Sequence, residues 1–171
     1  MSKGNKLQKF ITKCEMAQNT LSDISATRKR FEGYQAFAIS PEETPHAKLF
    51  FHILEKEKDA RLLLYEYPLD KLHESEGNTL LKVDFVYLKG DKIVLIEAKH
   101  LMYESGRTRR SKRTRDRKKI FDQLEKRRNY LIDNFGILPS DIVCKICTND
   151  NTLCEYAKSK GMDVYYFEDN A

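Results

Sequence analysis

Two apolar strands joined by a tight turn constrain this chain more than any other feature. Residues 80–88 and 92–99 are both rich in Val, Ile and Leu, and Lys89-Gly90-Asp91-Lys92 between them carries a Gly-Asp hairpin signal. With Gly90 and Asp91 as the turn, Lys89 faces Lys92, and counting back pairs Asp84 with Glu97 and Lys82 with Lys99. Side chains two apart share a face of a strand, so Glu97 and Lys99 project together beside Asp84. Opposed residues of an antiparallel pair have Cβ atoms roughly 4.5–5.5 Å apart, and two carboxylates that close repel unless a cation or a proton lies between them. Leu80, Leu81, Val83, Phe85 and Val86 on the first strand and Val94, Leu95, Ile96 and Ala98 on the second make both strands apolar on both faces, as central strands are. An unpaired charge there costs several kcal/mol, which argues against ordinary solvent-facing acids.

The order of the remaining segments is that of an α/β domain. Residues 45–56 place Ala47, Phe50, Phe51 and Leu54 on one helical face, with Pro45 in the first turn. Residues 61–67 form a strand ended by Pro68, and the two hairpin strands follow. A helix over 116–134 carries Ile120, Leu124, Tyr130, Leu131 and Phe135, with Gly136 where it stops. A strand over 141–148, a short helix over 151–160 capped by Gly161, and a last strand over 164–167 complete the list. The expected core is therefore αβββαβαβ, a mixed central β-sheet flanked by helices. Residues 1–40 read as an N-terminal helical addition, with Leu7, Phe10, Ile11, Cys14, Leu21 and Ile24 at helical spacing. Residues 41–171 form the core, and the whole is one globular domain.

The run Asp84, then Glu97-Ala98-Lys99 on the next strand, resembles the signature of the PD-(D/E)XK nuclease superfamily. Val83 stands where the family name implies Pro. The resemblance covers roughly residues 42–168 and implies a restriction-endonuclease-like core and hydrolysis of phosphodiester bonds with Mg²⁺ or Mn²⁺. Carboxylate oxygens suit these hard ions, which lower the pKa of a bound water and stabilise charge on the phosphate. On this reading Asp84 and Glu97 hold the metal, and Lys99 orients the water and stabilises developing charge. The resemblance adds the backbone carbonyl of Ala98 as a ligand, and an acidic or His residue from the first helix, Glu43 or His46. It adds Gln123 as a brace for the site. Arg127 stands where the RecB-like branch has Tyr. Glu66 on the first strand is a lesser candidate.

Charge supplies the partner. The chain is mildly basic at +5, but Arg107, Arg109, Arg110, Lys112, Arg113, Arg115, Arg117, Lys118 and Lys119 stand together with one acid, Asp116, just after the Glu-x-Lys strand. Such a cluster is the footprint of a phosphate backbone. No aromatic residue interrupts it, so neither base stacking nor sequence readout is indicated. Nine like charges also predict a segment that is mobile without substrate. The partner is nucleic acid, DNA before RNA, with a homodimer expected by analogy to junction resolvases of this fold.

Cys144, Cys147 and Cys154 with Cys14 upstream resemble the ligands of an iron–sulfur cluster in some RecB-like nucleases. Cys144 and Cys147 are three apart on a strand and point to opposite faces, which disfavours a cluster. No signal peptide and no membrane span are apparent, so an intracellular, reducing setting is expected. Junction resolvase, repair- or restriction-type nuclease and RNA endonuclease all stay open. The rival is a non-catalytic nucleic-acid-binding module on a degenerate version of the fold.

Overall fold

The computed structural model of the protein describes residues 3–18, 53, 56, 57, 59–72, 81–99 and 108–166, and for 108–116 the backbone alone. The described elements are α1 (Lys3–Gln18), β1 (Arg61–Pro68), α2 (Leu69–Leu72), β2 (Lys82–Lys89), β3 (Lys92–Lys99), α3 (Thr108–Phe135), a 3₁₀ turn (Pro139–Asp141), β4 (Ile142–Thr148), α4 (Asn151–Ser159) and β5 (Asp163–Tyr166). The five strands lie in sequence order in one sheet. β1, β2 and β3 run antiparallel, while β4 and β5 run parallel to β3 and to each other. This is the mixed α/β sheet expected. Parallel neighbours need a crossover, which α3 and α4 supply.

The hairpin closes as the turn chemistry dictates. Gly90 takes φ 63°, a left-handed value open to glycine, and pairs run from Lys89↔Lys92 to Phe85↔Ile96 in the expected register. Alternation along β3 then sorts its side chains between two apolar layers. Ile93 and Leu95 join Phe10, Ile11, Leu124 and Leu131 under α1 and α3. Val94, Ile96 and Ala98 face the other way, with Phe85, Tyr87, Cys147, Tyr165 and Ile53. In that second layer, Tyr165 donates to Glu57, Tyr87 and Tyr165 hydroxyls meet at 2.6 Å, and Lys89 bonds Glu57 at 2.8 Å. These bonds satisfy the polar atoms that the layer buries and tie the segment before β1 to β2 and β5.

α3 ends where Gly136 takes φ 66°, and the Gly136 and Ile137 amides turn back to the Ile132 and Leu131 carbonyls. It begins at Thr108, well before the expected position 116, so most of the basic run is helix and not an irregular loop. The reason is local: Arg and Lys are good helix formers, and 108–119 holds no Gly or Pro. α1 shares the core of the rest, through buried Phe10, Ile11 and Cys14. Of the helix expected over 45–56, only Ile53 and Lys56 are described, both helical. The expected boundary near residue 40 lies outside the described residues.

Candidate active site

Side chains alternate between two buried faces along β3, and Glu97 falls on the same strand face as Ile93 and Leu95, beneath α3. Its own exposure is 8%. Lys99, two residues on, is half-buried, as is Asp84 on β2. The structure therefore brings the two carboxyl groups together, near enough for Asp84 to act on the Glu97 carboxyl.

The hairpin ladder changes character at this point. Counting from the closing pair, 83 and 98 would be the next hydrogen-bonded pair beyond Phe85↔Ile96. Instead the Ala98 amide donates to Asp84 Oδ2 at 2.9 Å. The aspartate side chain thus stands where a strand carbonyl would accept, which fixes one of its oxygens and aims the group at Glu97. Ala98 thus touches the carboxyl pair through its amide.

Burial drives the Glu97 carboxyl up, and the charge of Asp84 drives it further, to about 8; Arg127 and Lys99 pull it down without reversing the shift. At neutral pH the pair therefore holds a proton in common, the form two adjacent carboxyl groups take without a cation between them.

Arg127 is the site residue that sequence reasoning missed. Ile120, Leu124 and Leu131 are buried on α3, and Arg127 falls on the same helical stripe at 8% exposure. Its Nε donates to the Lys82 carbonyl at 2.6 Å, and its Nη1 lies 3.9 Å from Glu97 Oε2. That contact is an ion pair too long for a hydrogen bond. Glu97 Oε2 has no hydrogen-bond partner among the described residues. A cation on an apolar helical stripe is itself a sequence signal, since it must find a partner when buried.

Gln123 lies half-buried one turn before Arg127, with no hydrogen bond to the carboxyl pair among the described residues. Glu43 and His46 lie outside the described residues, as does the Glu66 side chain. Among the described residues no group of three or more His, Cys, Asp or Glu could hold a metal ion. Asp84 and Glu97 make two such ligands.

The basic residues follow the helix axis away from this site. Arg117 is half-buried with its guanidinium 5.5 Å from the centre of the Tyr156 ring, while Lys118 and Lys119 are exposed. Arg109, Arg110, Lys112, Arg113 and Arg115 belong to the first half of α3, with side chains outside the described residues, and Arg107 lies outside them altogether. At 1.5 Å rise per residue, Lys119 is about 12 Å along the helix from Arg127 and Arg109 about 27 Å.

The cysteines are spread through the fold. Cys14 and Cys144 belong to the layer under α1 and α3, Cys147 to the opposite layer, and Cys154 is buried on α4. Burial pushes the Cys147 thiol up to about 12 and raises Cys14 and Cys144 as well, so these thiols are neutral.

Comparison of the chain with family models, curated proteins and solved structures finds no match.

Proposed function

We propose that this chain is a divalent-metal-dependent nuclease hydrolysing phosphodiester bonds in nucleic acid, with DNA favoured over RNA. The observation that carries the reading is the Asp84–Glu97 pair, two facing carboxyl groups at the end of a hairpin ladder with Lys99 on the same strand. A buried acid facing a second, half-buried one is costly to keep unless the two serve a cation or a proton. The mixed sheet and the order of its strands and crossover helices support a restriction-endonuclease-like core.

The donor set fits Mg²⁺ or Mn²⁺. Both groups offer hard oxygens, and Glu97 Oε2 is a buried acceptor with no hydrogen bond among the described residues. Asp84 and Glu97 would hold the ion, with the Ala98 carbonyl and Glu43 or His46 as further donors. Bound there, it lowers the pKa of a water and draws charge from the scissile phosphate. Lys99 orients the attacking water and stabilises charge on the phosphate, Gln123 braces the pair, and the first half of α3 supplies a basic track for the nucleic-acid backbone. A homodimer and an intracellular setting belong to the same reading, the latter because all four cysteines are free. Among the described residues no helix is long and apolar enough to cross a membrane.

Arg127 favours a second reading. Its guanidinium already faces Glu97, so the same residues would serve a non-catalytic nucleic-acid-binding domain in which Arg127 neutralises a buried acid. Incubation with duplex, single-stranded and junction DNA and with RNA, in Mg²⁺ or Mn²⁺ and in chelator, separates the two. Metal-dependent cleavage of any substrate supports the nuclease; binding with no cleavage of any substrate supports the second reading.

A further inference from the structure

The carboxyl pair has two cationic neighbours before any ion is added. Asp84 and Glu97 supply two negative charges when ionised, and Lys99 and Arg127 supply two positive charges that both act on Glu97. Arg127 is held in place: its side chain is buried and its Nε is bonded to the Lys82 carbonyl at 2.6 Å. That anchor leaves Nη1 3.9 Å from Glu97 Oε2, near enough to act through space and too far to hydrogen-bond it. Among the described residues Oε2 therefore has no hydrogen bond, and it lies beside a positive charge that salt screens poorly.

A divalent ion entering such a site leaves two positive charges in excess, next to a buried guanidinium that repels it. A phosphodiester brings the negative charge that offsets this. We propose that Arg127 makes metal binding and nucleic-acid binding depend on each other, so that the site holds a divalent ion firmly only with a backbone phosphate beside it. The inference rests on the nuclease reading and adds a regulation to it: the ion and the substrate are recruited together. Coupling of this kind is reciprocal, so Mn²⁺ must tighten nucleic-acid binding by the same factor that nucleic acid tightens Mn²⁺ binding.

The test measures Mn²⁺ binding to the full chain by the electron paramagnetic resonance of free Mn²⁺. It is run with and without a hydrolysis-resistant phosphorothioate DNA duplex, after subtraction of Mn²⁺ bound by the duplex alone. Wild type should bind Mn²⁺ more tightly with the duplex, by a factor on the order of 5–150. Arg127→Gln keeps a donor for the Lys82 carbonyl but removes the charge. It should bind Mn²⁺ more tightly than wild type in the absence of DNA, with a coupling factor close to one. Arg127→Lys keeps the charge and should retain the wild-type coupling. Wild type that binds Mn²⁺ equally well with and without duplex overturns the inference and leaves the nuclease reading standing. A folded Arg127→Gln protein with wild-type Mn²⁺ affinity and coupling also overturns it. No Mn²⁺ binding to wild type under either condition overturns both. Should the Gln variant not fold, the wild-type comparison decides alone.

Discussion

The Asp84 carboxylate accepts the Ala98 amide hydrogen at 2.9 Å, in the place of a strand carbonyl, and this single bond couples the candidate chemistry to the sheet. One oxygen of Asp84 is committed to the backbone and the group is turned toward Glu97. The same residue therefore serves structure and function, and variants at position 84 separate the two. Asp84→Ala removes the acceptor and leaves the Ala98 amide, at 7% residue exposure, without it, a loss of about 1–3 kcal/mol. Asp84→Asn keeps an acceptor for that amide and offers Glu97 a donor in place of a charge. In metal-free buffer the Asn variant should melt above wild type and the Ala variant below it. An Asn variant that melts as low as the Ala variant would show that repulsion at the pair is negligible.

Glu97 gives the chain a pH dependence whose sign is fixed. Its folded value of about 8 lies above the ordinary 4.5, so between these values the native state holds a proton that the unfolded state releases. Stability from this group is complete below about pH 4.5 and is lost as pH rises toward 8. The slope is at most about 1.4 kcal/mol per pH unit. Urea unfolding in chelator from pH 5 to 8 should show wild type losing stability relative to Glu97→Gln, which cannot titrate. Parallel pH curves for the two proteins would remove the shared proton from the account.

Catalysis divides along the same residues. Asp84→Ala and Glu97→Ala should reduce cleavage to background while nucleic-acid binding without metal stays close to wild type. Lys99→Ala should still bind Mn²⁺ yet lose roughly 10²–10³-fold in turnover, the usual cost of removing one group that stabilises transition-state charge. Mn²⁺ with substrate present should raise the melting temperature of wild type by mass action and leave Glu97→Ala unmoved. Wild-type cleavage rates in all three variants would displace the active site from this hairpin.

How far the sequence reveals this arrangement depends on the range of the interaction. The hairpin register is legible because the Gly-Asp turn and the strand period fix it locally, and Phe85↔Ile96 follows from Lys89↔Lys92 by counting. The Asp84–Ala98 bond is not legible, since a side chain that replaces a ladder carbonyl leaves no mark in hydropathy. The bulge near Leu63, which places both Leu63 and Leu64 in one apolar layer, is hidden in a uniformly apolar run. Arg127 registers in the sequence as the residue standing where a RecB-like Tyr would be and as a cation on an apolar stripe, neither of which names its partner. Its meaning comes from the buried stripe of Ile120, Leu124 and Leu131, which carries it to a strand thirty residues earlier. The helix start at Thr108 is missed because a segment of charged residues has no apolar period to read.

That last difference changes what the basic run is expected to do. As an irregular loop, residues 107–119 would order on binding and be the first site of tryptic cleavage; as part of α3, residues 108–119 present their charges from a preformed rod. Replacing Arg109, Arg110, Lys112 and Arg113 together by Ala preserves helix propensity, so circular dichroism should be unchanged and any weakening of binding reflects charge alone. Affinity should fall for all sequences alike, because binding to phosphate carries no base information. The log–log salt slope should become shallower by about 0.9 for each duplex phosphate no longer neutralised, or about 0.7 for each single-strand phosphate. Since the replaced residues sit about 21–27 Å along the helix from Arg127, Mn²⁺ affinity without nucleic acid should not move. Unchanged affinity and salt slope would remove this half of α3 from the binding surface, and weakening confined to one sequence would reassign it to base readout.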